Sequence, residues 1–234
     1  MDVDAARRAA GEAAVPFVDD GMRVGLGTGS TARWFIIGLA ERVRQGLRIR
    51  AVATSVASAT LAVQHGIIVE ELGAGGLDLA VDGADSVDPA LRLIKGKGGA
   101  MVREKIVAAA ATRFVVIVDD SKYMAQLSGR VPVEVIHFGS ARTLAVLSER
   151  TSLEFTYRIG ADGELITTDN GNLIADSEFT DVPEPERLAA HIASVPGVAG
   201  HGLFLGMAGL VLVGHSDGTV EQLIAPGDTV AEGG

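Results

Sequence analysis

The chain has 234 residues, of which 47% are hydrophobic and 21% charged, a composition typical of a folded globular protein. Its formal net charge of -10 disfavours a nucleic-acid-binding protein, because such proteins usually present a basic surface. It contains no cysteine, which excludes disulfide scaffolds, thiolate metal sites and thiol nucleophiles.

The first two-thirds of the sequence alternates between helical patterns and short apolar strands. Helices are predicted at 4–19, 30–44, 55–65 and 101–111, and strands at 23–27, 47–54, 67–71, 77–82 and 113–119. Because apolar strands alternate with helices, this pattern predicts a Rossmann-like parallel sheet covered by helices on both faces.

A different order of elements begins after residue 128. Strands are predicted at 131–138, 153–158, 165–168, 173–176 and 198–205, and helices at 140–149 and 185–193. This β-α-β-β-α-β order is typical of a small ferredoxin-like unit, and Asn170-Gly171 is a strong hairpin signal. Two further strands, at 209–214 and 218–225, are expected to return to the first sheet.

We therefore predict an α/β protein with two domains. The Rossmann-like catalytic domain comprises residues 1–129 plus 206–234, and a smaller ferredoxin-like α+β domain comprises residues 130–205.

The sequence contains no recognisable membrane or export segment. The most apolar stretches, 114–118 and 203–213, are too short or are interrupted by glycine, whereas a bilayer core is about 30 Å thick. The first residues lead into an amphipathic helix, so we expect a cytoplasmic protein. The five histidines have no metal-binding spacing, and a histidine metal site is not predicted.

A glycine-rich segment, GLGTGSTA at 25–32, follows the first strand and opens a helix. Backbone N–H groups at a helix N-terminus bind anions, and the neighbouring hydroxyls add donors, so the segment predicts a phosphate site. It lacks the lysine of a P-loop, and its GxGxG spacing differs from the dinucleotide GxGxxG pattern. The alternative is a tight turn in which a Ser or Thr caps the helix.

Three charged clusters follow later strands. In DGAD, Asp82 and Asp85 are suited to binding a divalent metal, orienting sugar hydroxyls or holding a proton, although a lone pair of this kind is more often a solvated turn. In the loop that begins at Lys95, three glycines and two lysines favour an anion, and Glu104 follows one turn into the next helix. The last cluster, DDSK, ends with Lys122 and on its own is a charged turn.

Taken together, GxGTGSTA, DGAD, IKGxGGAxxREK and DxSK resemble the motifs of ribose-5-phosphate isomerase of type A. The likeness extends over nearly the whole chain and includes the hairpin at 168–172. The resemblance implies a metal-independent isomerase that interconverts ribose 5-phosphate and ribulose 5-phosphate. It also implies no organic cofactor, no nucleic-acid or membrane partner, and a homodimer or homotetramer.

The resemblance also assigns roles to residues. Glu104 matches the proton acceptor, and Asp82, Asp85 and Lys95 match the other catalytic positions. The substrate-binding positions fall on Thr28, Gly29, Ser30, Thr31, Gly83, Ala84, Gly96, Lys97, Gly98 and Lys122. The division of roles between the two aspartates stays open, as does the choice of cation for the phosphate among Arg7, Arg8, Lys97 and Lys122.

Three residues depart from the family pattern. Lys97 replaces a usual glycine, which would strain the loop by about 1–2 kcal/mol if its φ angle were positive and would otherwise add a cation. Ser86 replaces a common acid and His137 a frequent proline, both expected to lie away from the chemistry.

Two other functions fit parts of this pattern. A sugar-phosphate sensor would keep the phosphate loop, but such proteins often carry a helix-turn-helix, and one helix alone precedes the first strand. A related isomerase or deaminase acting on another sugar phosphate is the second alternative. The presence of the complete acid–base set favours catalysis on a pentose phosphate.

Overall fold

The computed structural model describes residues 2–182 and 184–224. The helices are α1 Val3–Ala14, α2 Ala32–Arg44, α3 Val56–Gln64, α4 Met101–Ala110, α5 Ser140–Thr151 and α6 Pro185–Ala193. The strands are β1 Arg23–Leu26, β2 Arg50–Ala53, β3 Leu77–Gly83, β4 Ser86–Val87, β5 Leu93–Ile94, β6 Ala111–Asp119, β7 Gly129–Val135, β8 Thr156–Tyr157, β9 Leu173–Phe179, β10 Val198–His201, β11 Leu203–Phe204, β12 Leu210–Gly214 and β13 Val220–Ile224.

Six strands form one large sheet in the order β13-β12-β6-β3-β1-β2. Every neighbouring pair is parallel except β12 with β13. The predicted parallel sheet is therefore confirmed, and so is the return of the last two strands to it. The final residue of the predicted strand 218–225, Ala225, lies outside the described residues.

Helices cover both faces of the large sheet because its central strands are apolar on both sides. Along β6, Val115 and Ile117 pack into the core beneath α1 and α2, whereas Val116 and Val118 pack into the core on the side of α4. Ala62 of α3 joins the first of these cores. Alternate side chains of a strand point to opposite faces, so one continuous apolar run serves both layers.

Four strands form a second, small sheet in the order β10-β7-β9-β8, with all pairs antiparallel. Leu147 of α5 and Leu188 and Ile192 of α6 pack with it in a third core. The second and third strands of this unit, β8 and β9, are therefore neighbours at one edge of the sheet. The first and fourth, β7 and β10, pair at the other edge. This arrangement confirms the ferredoxin-like prediction.

A polar turn at 168–172 joins the small sheet to helices that cover the large sheet. Inside the turn, the buried carboxylate of Glu134 accepts hydrogen bonds from the side chains of Thr168, Asn170 and Asn172 at 3.1, 3.0 and 2.8 Å. On its outer side, the Asp169 carboxylate accepts the first N–H of α3 at 2.8 Å. The predicted Asn-Gly turn is therefore a contact between the two halves of the fold.

Several predicted strands are shorter than expected. Residues 67–71 contribute a single bridge from Val69 to Ala51, and residues 165–168 contribute two isolated bridges. Residues 198–205 divide at Gly202, where the chain passes so close to the carbonyl oxygen of Lys95 that a side chain would lie 2.2 Å from it. β11 consequently leaves β10 and joins β5 and β4 in a three-stranded sheet that was not predicted.

Among the helices described, none has the length and apolar character required to cross a membrane.

Candidate active site

Three neighbouring strands of the large sheet end at one edge, and their following loops surround a cavity. β1, β3 and β6 lie side by side and parallel, and ligands bind at the carboxyl ends of such strands. The cavity measures about 320 Å³. It is lined by Arg7, Thr28, Gly29, Ser30, Thr31, Gly83, Ala84, Asp85, Lys95, Gly96, Lys97, Gly98, Glu104, Asp119 and Lys122.

The residues predicted from four separate motifs are therefore brought together. Asp82 alone among the predicted site residues does not line the cavity, and its buried carboxylate contacts Lys95 behind the cavity wall. Asp119 was missed, although the motif that contains it was recognised and its lysine was selected. Neither Ser86 nor His137 lines the cavity.

The glycine-rich loop lies tightly against the end of β3. A side chain at Gly27 would lie 2.1 Å from a carboxylate oxygen of Asp82, so the close approach requires glycine. The same carboxylate accepts the N–H groups of Thr28 and Gly83 at 2.9 and 2.7 Å. Asp82 therefore fixes the backbone of the loop that leads into α2.

The end of this loop has the properties of an anion site. Within the described residues, the N–H groups of Ser30, Thr31 and Ala32 have no hydrogen-bond acceptor. Thr31 occupies the N-cap position of α2 without making a side-chain capping bond, unlike the alternative considered from the sequence. Free N–H groups at the positive end of a thirteen-residue helix favour a phosphate.

The hydroxyl of Thr28 points into a separate cluster of hydroxyls. Its Oγ1 lies 2.7 Å from Thr54 Oγ1, 2.8 Å from Ser55 Oγ and 3.2 Å from Ser58 Oγ. Thr28 thus lines the cavity but uses its hydroxyl to connect the loop to the start of α3.

Two carboxylates and one ammonium form the buried centre of the site. Lys95 Nζ lies 2.9 Å from Asp82 Oδ2 and 3.4 Å from Glu104 Oε2, and it also donates to the carbonyl oxygen of Gly83. The Lys95 and Glu104 side chains are 2% and 4% exposed. Glu104 comes early in α4, on the same face as buried Met101 and Val107, which is why a charged residue is turned towards the sheet.

Burial dominates the protonation of this centre. It raises the pKa of Glu104 to about 8, with Lys95 opposing the shift and Asp82 adding to it. Burial likewise raises the pKa of Asp82 against the influence of Lys95. For Lys95 burial acts to lower the pKa, but the two carboxylates outweigh it and raise the value above its ordinary one. A protonated lysine therefore lies beside a carboxyl group that titrates near neutral pH.

Asp85 is held by the loop that contains Lys97. Its Oδ2 accepts the N–H of Lys97 at 2.9 Å. Among the described residues, those other than glycine with a positive φ are Leu91, Ser152 and Glu184, so Lys97 is not strained. The exposed Lys97 side chain instead adds a cation to the cavity wall, the second of the two outcomes considered from the sequence.

The cations differ in their placement. Arg7 lines the cavity and donates from Nε to the buried Asp119 at 3.0 Å. Arg8 pairs with Glu12 at 2.7 Å on the exposed side of α1 and lies over the Trp34 ring, away from the cavity. Lys122 lines the cavity from the short turn after β6.

A metal site is not found in the part of the chain that the structure describes. There, no group of three or more His, Cys, Asp or Glu side chains is arranged to hold an ion. The cluster of Asp82, Lys95 and Glu104 instead carries its own internal cation.

Comparison with known proteins identifies relatives that match nearly the whole chain. Residues 50–218 match the family described as ribose 5-phosphate isomerase A, or phosphoriboisomerase A. The ribose-5-phosphate isomerase A of Roseiflexus castenholzii (strain DSM 13941 / HLO8) is 49% identical over 229 residues, which cover 94% of this chain and 96% of the relative.

Solved structures agree with this assignment. A D-ribose-5-phosphate isomerase in complex with phospho-erythronic acid has a TM-score of 0.90 and 36% identity, covering 96% of this chain and 100% of that one. Ribose 5-phosphate isomerase A from Methanocaldococcus jannaschii has a TM-score of 0.88 and 38% identity, covering 93% of this chain and 97% of that one. The chain therefore belongs to the ribose-5-phosphate isomerase A family.

Proposed function

We propose that this chain interconverts ribose 5-phosphate and ribulose 5-phosphate in the non-oxidative pentose phosphate pathway, with Glu104 as the base. The observation that carries the proposal is a carboxyl group with a pKa of about 8 beside a buried ammonium, in one cavity with a helix N-terminus suited to a phosphate. A base poised near the working pH is what proton transfer from carbon requires.

The proton transfer uses Glu104 twice. Its carboxylate takes the proton from C2 of the open-chain aldose, and the bonding electrons form the C1=C2 bond of an enediolate with the charge on O1. The O2 proton passes to O1, and protonated Glu104 returns its proton to C1, which leaves the carbonyl at C2. A positioned base of this kind contributes about 10²–10⁴-fold to the rate.

Lys95 stabilises the charge that develops on the oxygens. Its pKa is raised by the neighbouring carboxylates although burial acts to lower it, so it stays protonated beside Glu104. A fixed cation in a water-poor site is more effective than one in bulk water. Either Asp82 or Asp85 assists ring opening by accepting a hydroxyl proton, and Asp85 faces the cavity directly.

The phosphate binds at the other end of the cavity, at Gly29–Thr31 and the start of α2. Arg7, Lys97 and Lys122 line the same cavity and supply positive charge. The substrate-binding role extends to Thr28, Gly83, Ala84, Gly96 and Gly98, which also line the cavity. Binding energy from the phosphate orients the reacting carbons.

We further propose that the protein is cytoplasmic and forms a homodimer or homotetramer. Residues 1–129 with 206–234 form the catalytic domain, which agrees with a cavity lined by residues 7 to 122. The smaller domain, residues 130–205, then provides the contacts between subunits. Residues 225–234 lie outside the described residues.

The test of function is turnover of ribose 5-phosphate after treatment with EDTA, for the wild type and for Glu104→Gln. The wild type is expected to retain full activity and the variant to lose several orders of magnitude, because the amide cannot accept the proton. Phospho-erythronic acid, the compound bound in one similar structure, is expected to inhibit the wild type competitively.

Other outcomes point to other functions. A folded wild type that binds the sugar phosphate without converting it would indicate a sensor. Turnover of a different sugar phosphate in preference would indicate the related isomerase or deaminase. Equal activity of the wild type and Glu104→Gln would support the isomerase function but contradict the assignment of Glu104 as the base.

A further inference from the structure

A residue next to the small sheet, Arg158, donates hydrogen bonds to the backbone of the active-site loop 95–98. Arg158 Nη1 donates to the carbonyl oxygen of Lys97 at 2.8 Å and to that of Gly96 at 3.3 Å. Arg158 follows directly after β8, more than fifty positions along the chain from any residue that lines the cavity except Lys122 and Asp119. This guanidinium is therefore a polar contact between the small sheet and loop 95–98.

Arg158 is itself held rigidly. Asp176 on β9 accepts two hydrogen bonds from it, from Nε at 2.7 Å and from Nη2 at 2.5 Å. Both side chains are nearly buried, at 9% and 8% exposure. A two-point contact between a guanidinium and a carboxylate fixes direction as well as distance, and buried pairs are little affected by salt.

Fixing these two carbonyls also fixes the N–H groups that follow them. In a planar trans peptide the N–H points opposite to the carbonyl, and the described residues contain no cis peptide. The Gly96 carbonyl faces Arg158, and the next N–H, that of Lys97, donates to Asp85. The Lys97 carbonyl also faces Arg158, so the N–H of Gly98 points away from the guanidinium.

We propose that Arg158, oriented by Asp176, is a positioning residue for the isomerisation, which sets the direction of the Asp85 carboxylate through the peptide planes of loop 95–98. The proposal rests on the activity proposed above. Arg158 does not line the cavity and has no contact with the reacting atoms, so it acts through the loop.

The matched control is Arg130 on β7, the strand that pairs with β9 on the side opposite to β8. It approaches the same Asp176, at 3.7 Å, and pairs with the exposed Glu178 at 2.7 Å, but it makes no hydrogen bond to loop 95–98. Arg130→Ala thus removes a guanidinium of the same cluster without touching the loop.

The first measurement is kinetic. Arg158→Ala is expected to lower kcat tenfold to a hundredfold, because small displacements of a catalytic group cost about that much. The inhibition constant of inorganic phosphate should stay within twofold, since the anion site on α2 is untouched. Guanidinium chloride at low millimolar concentration should restore part of the activity, whereas sodium chloride should not. Arg130→Ala should match the wild type in kcat, in the inhibition constant of phosphate and in its response to guanidinium chloride.

The second measurement does not depend on activity. Amide hydrogen exchange in peptides that span 94–101 is expected to be faster in Arg158→Ala than in Arg130→Ala, with the rest of the small sheet unchanged. If the alanine variant does not fold, Arg158→Lys takes its place. Its ammonium keeps the charge but cannot contact Asp176 at two points and both carbonyls, so the same changes are expected.

Two results would overturn the proposal. One is a folded Arg158 variant whose kcat and loop exchange equal those of Arg130→Ala. The other is faster exchange throughout the small sheet together with weaker phosphate inhibition, which would mean a general loss of structure. An inactive wild type would contradict the proposed function, and the exchange measurement would still decide whether Arg158 holds the loop.

Discussion

Glu104 is a carboxyl group whose environment opposes its ionisation, and this opposition has a kinetic consequence. Burial raises its pKa to about 8, with Lys95 opposing the shift. Because the base reacts in its ionised form, kcat/KM is expected to rise as the pH increases towards 8 and to level off above it. Rates measured from about pH 7 to about pH 9.5 lie above most of the second ionisation of the substrate phosphate, whose pKa is about 6. A flat profile over this interval would contradict the assignment of the base.

The raised pKa of Glu104 also affects the stability of the protein, and this effect gives an independent check of the shift. A carboxyl group with a raised pKa in the folded state binds its proton more tightly there than in the unfolded chain. The free energy of unfolding therefore falls as the pH rises from about 4.5 to about 8, the ordinary and shifted values. Thermal unfolding of Glu104→Gln should lack this part of the pH dependence.

Lys97 is expected to affect substrate binding more than turnover. Its side chain is exposed at the cavity wall, and among the described residues it takes part in no ion pair. Lys97→Gly should raise KM two- to fivefold, about 0.5–1 kcal/mol, with kcat unchanged. The effect should disappear in 0.5 M salt, because exposed charges are screened. Unchanged KM at low salt would mean that this ammonium does not reach the phosphate.

At the scale of elements, the site depends on how closely β1 and β3 approach at their ends. Gly27→Ala would place a methyl group 2.1 Å from Asp82 Oδ1 and 2.5 Å from its Cα, and the latter cannot move without moving the strand. We expect a loss of several kcal/mol in stability and of nearly all activity. Gly73→Ala, where nothing lies within 4 Å, is the control and should unfold at the wild-type temperature. Normal activity of Gly27→Ala would contradict the close approach.

Strand ends explain why the site could be predicted from the sequence. Parallel strands place their carboxyl ends at one edge, so motifs after Leu26, Gly83 and Asp119 had to meet there. The burial of Asp82 beside Lys95 could not be predicted, because it depends on the close contact at Gly27.

Other parts of the fold leave too little signal in the sequence. β4, β5 and β11 have two residues each, which is too short to show an alternating pattern. Arg158 ends the predicted strand 153–158 and belongs to no recognised motif, and its contact with loop 95–98 depends on the relative placement of two sheets. Its role becomes visible once the tertiary structure is known.

At the scale of the whole molecule, the proposed subunit contacts can be tested with exposed apolar residues. Phe138, which follows β7 in the small domain, is 93% exposed, and Ile136 beside it is 45% exposed. Phe138→Ser is expected to lower the molar mass measured by light scattering, because large apolar side chains stabilise subunit interfaces. Val63→Ser on α3, 60% exposed in the wild type, is the control and should keep the wild-type mass. A lower molar mass for Val63→Ser together with an unchanged mass for Phe138→Ser would place the subunit contacts on the catalytic domain.

The pairing of β12 with β6 has a consequence for how the protein folds while it is being synthesised on the ribosome. Val116 lies opposite Val211, and the entire small sheet is synthesised between them. Until Leu210–Gly214 emerges, the apolar edge of β6 has no partner and is open to pairing with other chains. The small sheet, whose strands are complete by His201, is able to fold first. Chaperone demand should therefore fall steeply once the last two strands have been translated, and nascent chains arrested before residue 210 should aggregate.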